Sequence, residues 1–500
     1  MASRIHRHST STSFELPLAL LLPPLRAYSL AYVSVTGPRL LNLLLHLYRK
    51  KPARHSAVSS TYKILKGSLA IRRFPTFCGA LVAGYTFLQI PLRLLYDYYC
   101  SNARTKDGRS TRLFRARRAV PRFVAALLSA WFSLQLLNRM KPAEIHGAAL
   151  DNIPGQSRGH RDALPEPEPS LPTTWSDTQP SPQVLAGRTI DLTVLAVARA
   201  LDTIIANTWR RSQASRFPTT TSKYLSRHTG TVVFALSSGT IMWAWIYLPN
   251  QLPQAYNKWI ASAAQVDSRL IELLREARAG RLLYGKDTGH APILQTMCSE
   301  YDWPLEWGDP AIMIPFPCEV VHMGTGPSCH WHPVVRFARA FKFALATHLP
   351  LQLLFKARKP SPKAFRRACE EAIRSSAFLG AFVGLFYYGV CLARTRLGPK
   401  LFSRDTISPQ MWDSGLCIGA GCALCGWSIL IEAERRREEL ALFVVPRALA
   451  TCLPREYDAK HLWREKAAFS LSIAVLFALA NEDPRKVRGV LGRVLHGVLH

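Results

Sequence analysis

Between Cys318 and His332 the chain carries two cysteines and three histidines, namely Cys318, His322, Cys329, His330 and His332. Thiolate and imidazole are the ligand types that a tetrahedral zinc ion takes. The pattern Cys318-x3-His322-x6-Cys329-x2-His332 offers four of them within one short stretch. The spacing matches no standard zinc finger, and a second reading stands beside the first. In it the segment is a Gly- and Pro-rich turn with reduced thiols, and His330 and His332 cap the helix that follows. Zinc, held by Cys318, His322, Cys329 and His332, is the one candidate cofactor.

Other chemistry is weakly represented. Gly280-Arg-Leu-Leu-Tyr-Gly285-Lys286-Asp287 approaches a phosphate loop, but Asp287 stands where a magnesium-binding Ser or Thr is needed. Leu282, Leu283 and Tyr284 suit a helix end better than an anion cradle. There is no nucleophile elbow, paired-acid site or dinucleotide fingerprint, so the chain is expected to be non-enzymatic. Cys422-Ala-Leu-Cys425 has redox spacing, but its apolar helical setting points to small core residues.

The elements that position these residues are apolar. Of 500 residues 48% are hydrophobic, and they gather in runs such as 76–96, 120–137, 231–248, 376–393 and 412–431. Further runs cover 336–355, 440–453 and 467–480, and 26–48 either spans or lies in the interface. Runs of this length with few or no charges are membrane-span candidates. The net charge of +31 comes from basic clusters that abut them, such as the eight Lys and Arg within 49–73. That placement suits lipid phosphates rather than nucleic acid. Acidic residues are almost absent from the runs, which argues against a proton-coupled transporter. The fold class expected is all-α, a polytopic membrane protein of two tandem repeats of four to five helices.

The repeat rests on three motif pairs in the same order. Phe77-x-Gly79-Ala80-x-Val82 recurs as Phe378-x-Gly380-Ala381-x-Val383. Val197-x-Arg199-Ala200-Leu201-x-Thr203 recurs as Val445-x-Arg447-Ala448-Leu449-x-Thr451, and Phe234-x-Leu236-Ser237 as Phe469-x-Leu471-Ser472. Arg93 and Arg394 also stand at matching offsets. The organisation expected is a basic, flexible N-terminus over 1–25 and a first membrane repeat over 26–260 with a disordered loop at 141–188. A segment over 261–335 holds the Cys/His stretch, and a second repeat follows over 336–500. An amphipathic helix is expected over 190–209 and another over 256–280.

Ala80-x3-Gly84 and Gly380-x3-Gly384 place small residues on one helical stripe, so two backbones can approach closely. A leucine at Gly380 is expected to disrupt that contact, and one at Ser376, near a run's end, to be milder. Arg199 and Arg447 sit in apolar motifs. Such arginines either face the bundle, a wet cavity or lipid headgroups, or snorkel to the interface.

Pro317-Cys318…His322…Pro327-Ser328-Cys329, Phe378-x-Gly380-Ala381-Phe382-Val383 and Leu252-Pro253…Tyr256-x-Lys258-Trp259 resemble the fungal branch of the transmembrane protein 135 family. The resemblance covers both repeats. It implies halves similar to the four-helix channel subunits of the mitochondrial inner-membrane translocase, a peroxisomal or mitochondrial membrane, and a role in lipid distribution and organelle homeostasis without catalysis. Animal members carry the cysteine-rich stretch at the N-terminus, whereas here it lies between the repeats. Membrane lipids are the expected partners, with self-association or organelle membrane proteins as further ones and no nucleic acid. The alternative is a translocase-like channel or carrier component for polypeptides or small solutes.

Overall fold

The structure, a computed structural model, describes residues 12–50, 54–101, 110–138, 185–215, 220–356, 361–483 and 486–499. The basic tail over 1–13 and the loop over 141–188 lie almost wholly outside them. The described chain is overwhelmingly helical. Its one sheet pairs Leu185–Ala186 antiparallel with Tyr457–Asp458. The longer helices are α1 (Thr12–Lys50), α2 (Arg54–Ser68), α3 (Phe74–Ser101), α4 (Ser110–Asn138), α5 (Ile190–Ser215), α6 (Thr220–Tyr247), α7 (Gln254–Ala264) and α8 (Ser268–Arg278). There follow α9 (Ala291–Glu300), α10 (Trp331–Lys356), α11 (Pro362–Cys391), α12 (Cys417–Cys425), α13 (Glu434–Thr451), α14 (Leu462–Glu482) and α15 (Gly489–Leu499).

Five helical stretches among the described residues are long and apolar enough to cross a membrane: Phe74–Tyr99, Ala119–Asn138, His228–Tyr247, Pro362–Leu401 and Pro409–Ile431. They coincide with the five principal apolar runs. The runs at 440–453 and 467–480 are helical but fall outside this set, because charged residues such as Arg435, Arg436, Arg464 and Glu465 crowd their helices.

Local signals explain the boundaries. Ser361 caps α11, its hydroxyl accepting from the Ala364 amide, and Pro362 fills the first helical position, where no amide donor is needed. The single helix expected over 256–280 is instead two. Gln265 adopts a left-handed conformation (φ 51°) that closes α7, and the Asp267 carboxylate accepts from the Arg269 amide to start α8.

The chain forms two compact units. One takes residues up to Thr208 together with Glu456–His500, and the other takes Trp209–Arg455. In the first, α3 packs along α1 and α4, and α14 packs along α4. Its core is built from Phe77, Leu81 and Tyr85 of α3, four residues apart on one stripe, with Ala126, Ala130 and Leu134 of α4 spaced likewise. Phe469 and Phe477 of α14 complete it. The Phe77 and Phe469 rings lie 6.0 Å apart, and Tyr85 meets Phe477 edge-on at 4.9 Å. A buried carboxylate, Glu465, accepts from Thr189 (2.5 Å), Thr193 (3.2 Å) and Tyr457, tying the sheet to α14.

In the second unit α6 packs against α12 and α13, and α11 against α10 and α12. Phe234 of α6 meets Phe378 of α11 at 5.8 Å. Small residues set the spacing. A Cβ on Gly389 would lie 2.8 Å from the Gly421 Cα, and one on Gly426 2.4 Å from the Ala235 Cα. Cys422 and Cys425 are buried free thiols in this core.

The glycine stripes occupy close approaches. A Cβ on Gly84 would meet Ser129 of α4 at 2.4 Å, where the Ser129 hydroxyl donates to the Leu81 carbonyl at 2.6 Å. Gly380 and Gly384 face Phe337 and Pro333 of α10, with Cβ distances of 3.0 and 3.2 Å to the two carbonyl oxygens. Ala80 is half-buried. Ser376, expected to be a mild site, is fully buried, with its hydroxyl donating to the Ala372 carbonyl. The run begins there, but α11 begins at Pro362, so Ser376 lies in mid-helix.

Candidate functional site

Two places in the second unit concentrate chemistry, a Cys/His turn and an apolar cavity. The turn starts at Cys318, first residue of the helical turn Cys318–Val321, which His322 closes by donating its amide to the Cys318 carbonyl at 2.7 Å. Gly324 and Gly326, at φ 75° and 90°, then reverse the chain in a region that a side chain would strain. Ser328 caps α10 instead of His330 or His332. Its hydroxyl accepts from the Trp331 amide at 3.2 Å and its carbonyl from the His332 amide at 3.0 Å.

This reversal gathers Cys318, His322 and Cys329, whose ligand atoms all lie within 4.8 Å of one another. The two sulfurs are 3.8 Å apart and both thiols are free. His332 stands outside the group. Its ring stacks on His322 at 4.4 Å, its Nδ1 meets the Thr325 hydroxyl at 2.5 Å, and its edge meets Tyr387 at 4.9 Å. Of the four residues expected to form a metal site, the fold brings three together and gives the fourth a packing role. Burial lowers both imidazole pKa values, that of His332 to about 3, and so keeps both rings neutral. Burial pushes the Cys318 thiol up to about 11, with the neighbouring Cys329 adding to the shift.

The cavity, of about 340 Å³, lies among α6, α7, α11 and α13. Its size is at the lower end of the roughly 300–1,000 Å³ typical of ligand pockets. Phe234, Ile241, Met242, Phe378, Phe382 and Val444 give it an aliphatic and aromatic wall. Two of its polar groups are engaged with backbone, since Ser238 donates to the Ala235 carbonyl and Tyr387 to that of Ala264. Tyr256, Trp259 and Phe443 also line it, and the last two are 47% and 56% exposed, marking its open side. There the half-buried Arg447 guanidinium lies 4.9 Å from the Tyr256 ring centre and 5.3 Å from that of Phe443. Burial raises the Tyr256 phenol pKa, and the Arg447 charge pulls it partly back.

Arg199, expected to act like Arg447, is 8% exposed and donates to the Arg488 carbonyl at 2.8 Å in the first unit. Its guanidinium serves the fold there.

Sequence reasoning missed a buried ion pair. Arg394, at the end of the span that begins at Pro362, donates to both oxygens of Asp413 at 2.6 and 3.0 Å and to the Phe316 carbonyl at 2.9 Å. Tyr284 donates to the same carboxylate at 2.5 Å. The available signal was one acid, Asp413, at the head of an apolar run, with one arginine at the tail of another. Comparison with protein families, with curated proteins and with solved structures found no match for this chain.

Proposed function

We propose that this chain is a non-enzymatic integral membrane protein that holds an acyl lipid in the cavity of its second unit. In this reading it supports lipid distribution in an organelle membrane. The carrying observation is the pairing of an aliphatic and aromatic cavity with Arg447 at its open side. A hydrocarbon chain gains by filling the cavity. Its carboxylate or phosphate would meet the guanidinium, whose planar fork suits either anion. The five apolar helices and the +31 charge fit a protein bathed in anionic lipid.

We also propose that the two halves descend from one duplicated unit. In support, motif phenylalanines pair in crossed fashion, Phe77 with Phe469 and Phe378 with Phe234. The motif glycines Gly79 and Gly380 each face an aromatic residue of the preceding long helix, Tyr28 or Phe337. The peroxisomal or mitochondrial membrane is proposed on the family resemblance alone.

Mass spectrometry of lipid retained by the full chain after gentle detergent extraction tests the reading. Wild type should retain acyl lipid. Arg447→Leu removes a charge-assisted contact of about 1.5–3 kcal/mol, so affinity should fall roughly tenfold to a hundredfold. Retention that ignores both Arg447→Leu and a cavity-filling Ala263→Phe would refute it. Stable association with import machinery and crosslinks to precursors in transit would favour a translocase component. A tagged copy found only at the plasma membrane or nucleus would defeat the organelle assignment.

A further inference from the structure

A fourth candidate ligand stands beside the Cys/His turn, and it comes from a distant part of the chain. Cys391, last residue of α11, places its sulfur 3.5 Å from the Nε2 of His322. The other His322 nitrogen, Nδ1, is 2.7 Å from the Gly326 carbonyl. Only a protonated Nδ1 can serve a carbonyl, so Nε2 carries the lone pair and faces the sulfur. Holding the remote ring N–H on a backbone carbonyl is how metal-binding histidines are usually oriented.

Two of the distances have the dimensions of a coordination sphere. Zinc bonds sulfur at about 2.3 Å and imidazole nitrogen at about 2.0 Å. At the tetrahedral angle those lengths put two sulfurs about 3.8 Å apart, and a sulfur and a nitrogen about 3.5 Å apart. The Cys318–Cys329 separation is 3.8 Å and the Cys391–His322 separation is 3.5 Å. These match two edges of such a tetrahedron. Cys391 stands outside the group of three whose ligand atoms all lie within 4.8 Å of one another, so its sulfur must move in to complete the sphere. His322, Cys329 and Cys391 are buried, with Cys318 half-buried at the rim.

We propose that Cys318, His322, Cys329 and Cys391 form a structural zinc site that staples the Cys/His turn to the end of α11. Three thiolates and one imidazole in tetrahedral array select zinc over magnesium, calcium or manganese, which prefer oxygen ligands. Four protein ligands leave no open position, so the site is structural and not hydrolytic. His332 is a positioning residue that stacks on the ligand ring.

The full chain, produced with zinc present and purified under reducing conditions, should contain about one zinc per molecule. X-ray absorption at the zinc edge should show three sulfurs and one nitrogen in the first shell. Cys391→Ser and Cys329→Ser should each lower zinc content at least tenfold, whereas His332→Asn should keep it. If Cys391→Ser fails to fold, the wild-type spectrum decides by itself. Zinc-free wild-type protein would overturn the proposal, as would a Cys318–Cys329 disulfide in protein purified without reductant. A shell of two sulfurs and two nitrogens, with zinc retained in Cys391→Ser and lost in His332→Asn, would replace this site by the one expected from sequence spacing.

Discussion

Replacing Asp413 by alanine should destabilise the second unit more than any change of similar size on its surface. The carboxylate receives two hydrogen bonds from Arg394 and one from Tyr284, and the two side chains of the ion pair are 5% and 6% exposed. Without Asp413 the guanidinium keeps only the Phe316 carbonyl, and it cannot swing out to water. An uncompensated buried charge costs about 3–5 kcal/mol. Tyr284→Phe deletes one hydrogen bond to a charged group and should cost about 1.5–3 kcal/mol. The double variant Arg394→Met, Asp413→Leu removes both charges at similar volume, and should unfold close to wild type. Thermal unfolding of the full chain in detergent, followed by tryptophan fluorescence, ranks the three. The reasoning fails if Asp413→Ala unfolds with wild type, or if the double variant is as unstable as Asp413→Ala.

Gly380→Ala should destabilise by about 1–3 kcal/mol, because the new methyl group meets the Phe337 backbone. Gly67→Ala, on a helix with open space beside it, should be neutral or stabilising, and equal effects in a melting assay would remove the case for close α10–α11 contact. Asp267 has a pKa held below its ordinary value by Arg269, so its charge stabilises the fold above the unfolded value near 3.8. Asp267→Asn should therefore be less stable at neutral pH, by a margin that shrinks as pH falls below that value. A margin independent of pH across this window would sink the assignment. Alkaline carbonate should leave the protein in the membrane pellet, and release of most of the chain to the supernatant would contradict membrane insertion.

The sequence by itself determined where the helices are, because helix formation and apolar length are local properties. The runs around Phe77, Val124, Phe234, Phe378 and Ile418 all became helices long enough to span. Gly84, Gly380 and Gly384 were also legible, since a small residue on an apolar stripe has few uses other than close packing. Cys318, His322 and Cys329 came together as expected, because eleven residues and two glycines suffice to turn the chain on itself. Tertiary structure alone decided the rest. Cys391 stands 69 residues from His322 and reads in sequence as an ordinary buried thiol, until α11 delivers it to the ring nitrogen. His332 has a ligand's chemistry and a ligand's spacing, yet α10 turns it into a stack against His322. Arg199 and Arg447 share a motif, but one meets a carbonyl and the other the edge of a cavity. The physical reason is the same in each case. Spacing along the chain governs what can be near within a turn or two of helix, whereas partners across a bundle depend on which faces pack together.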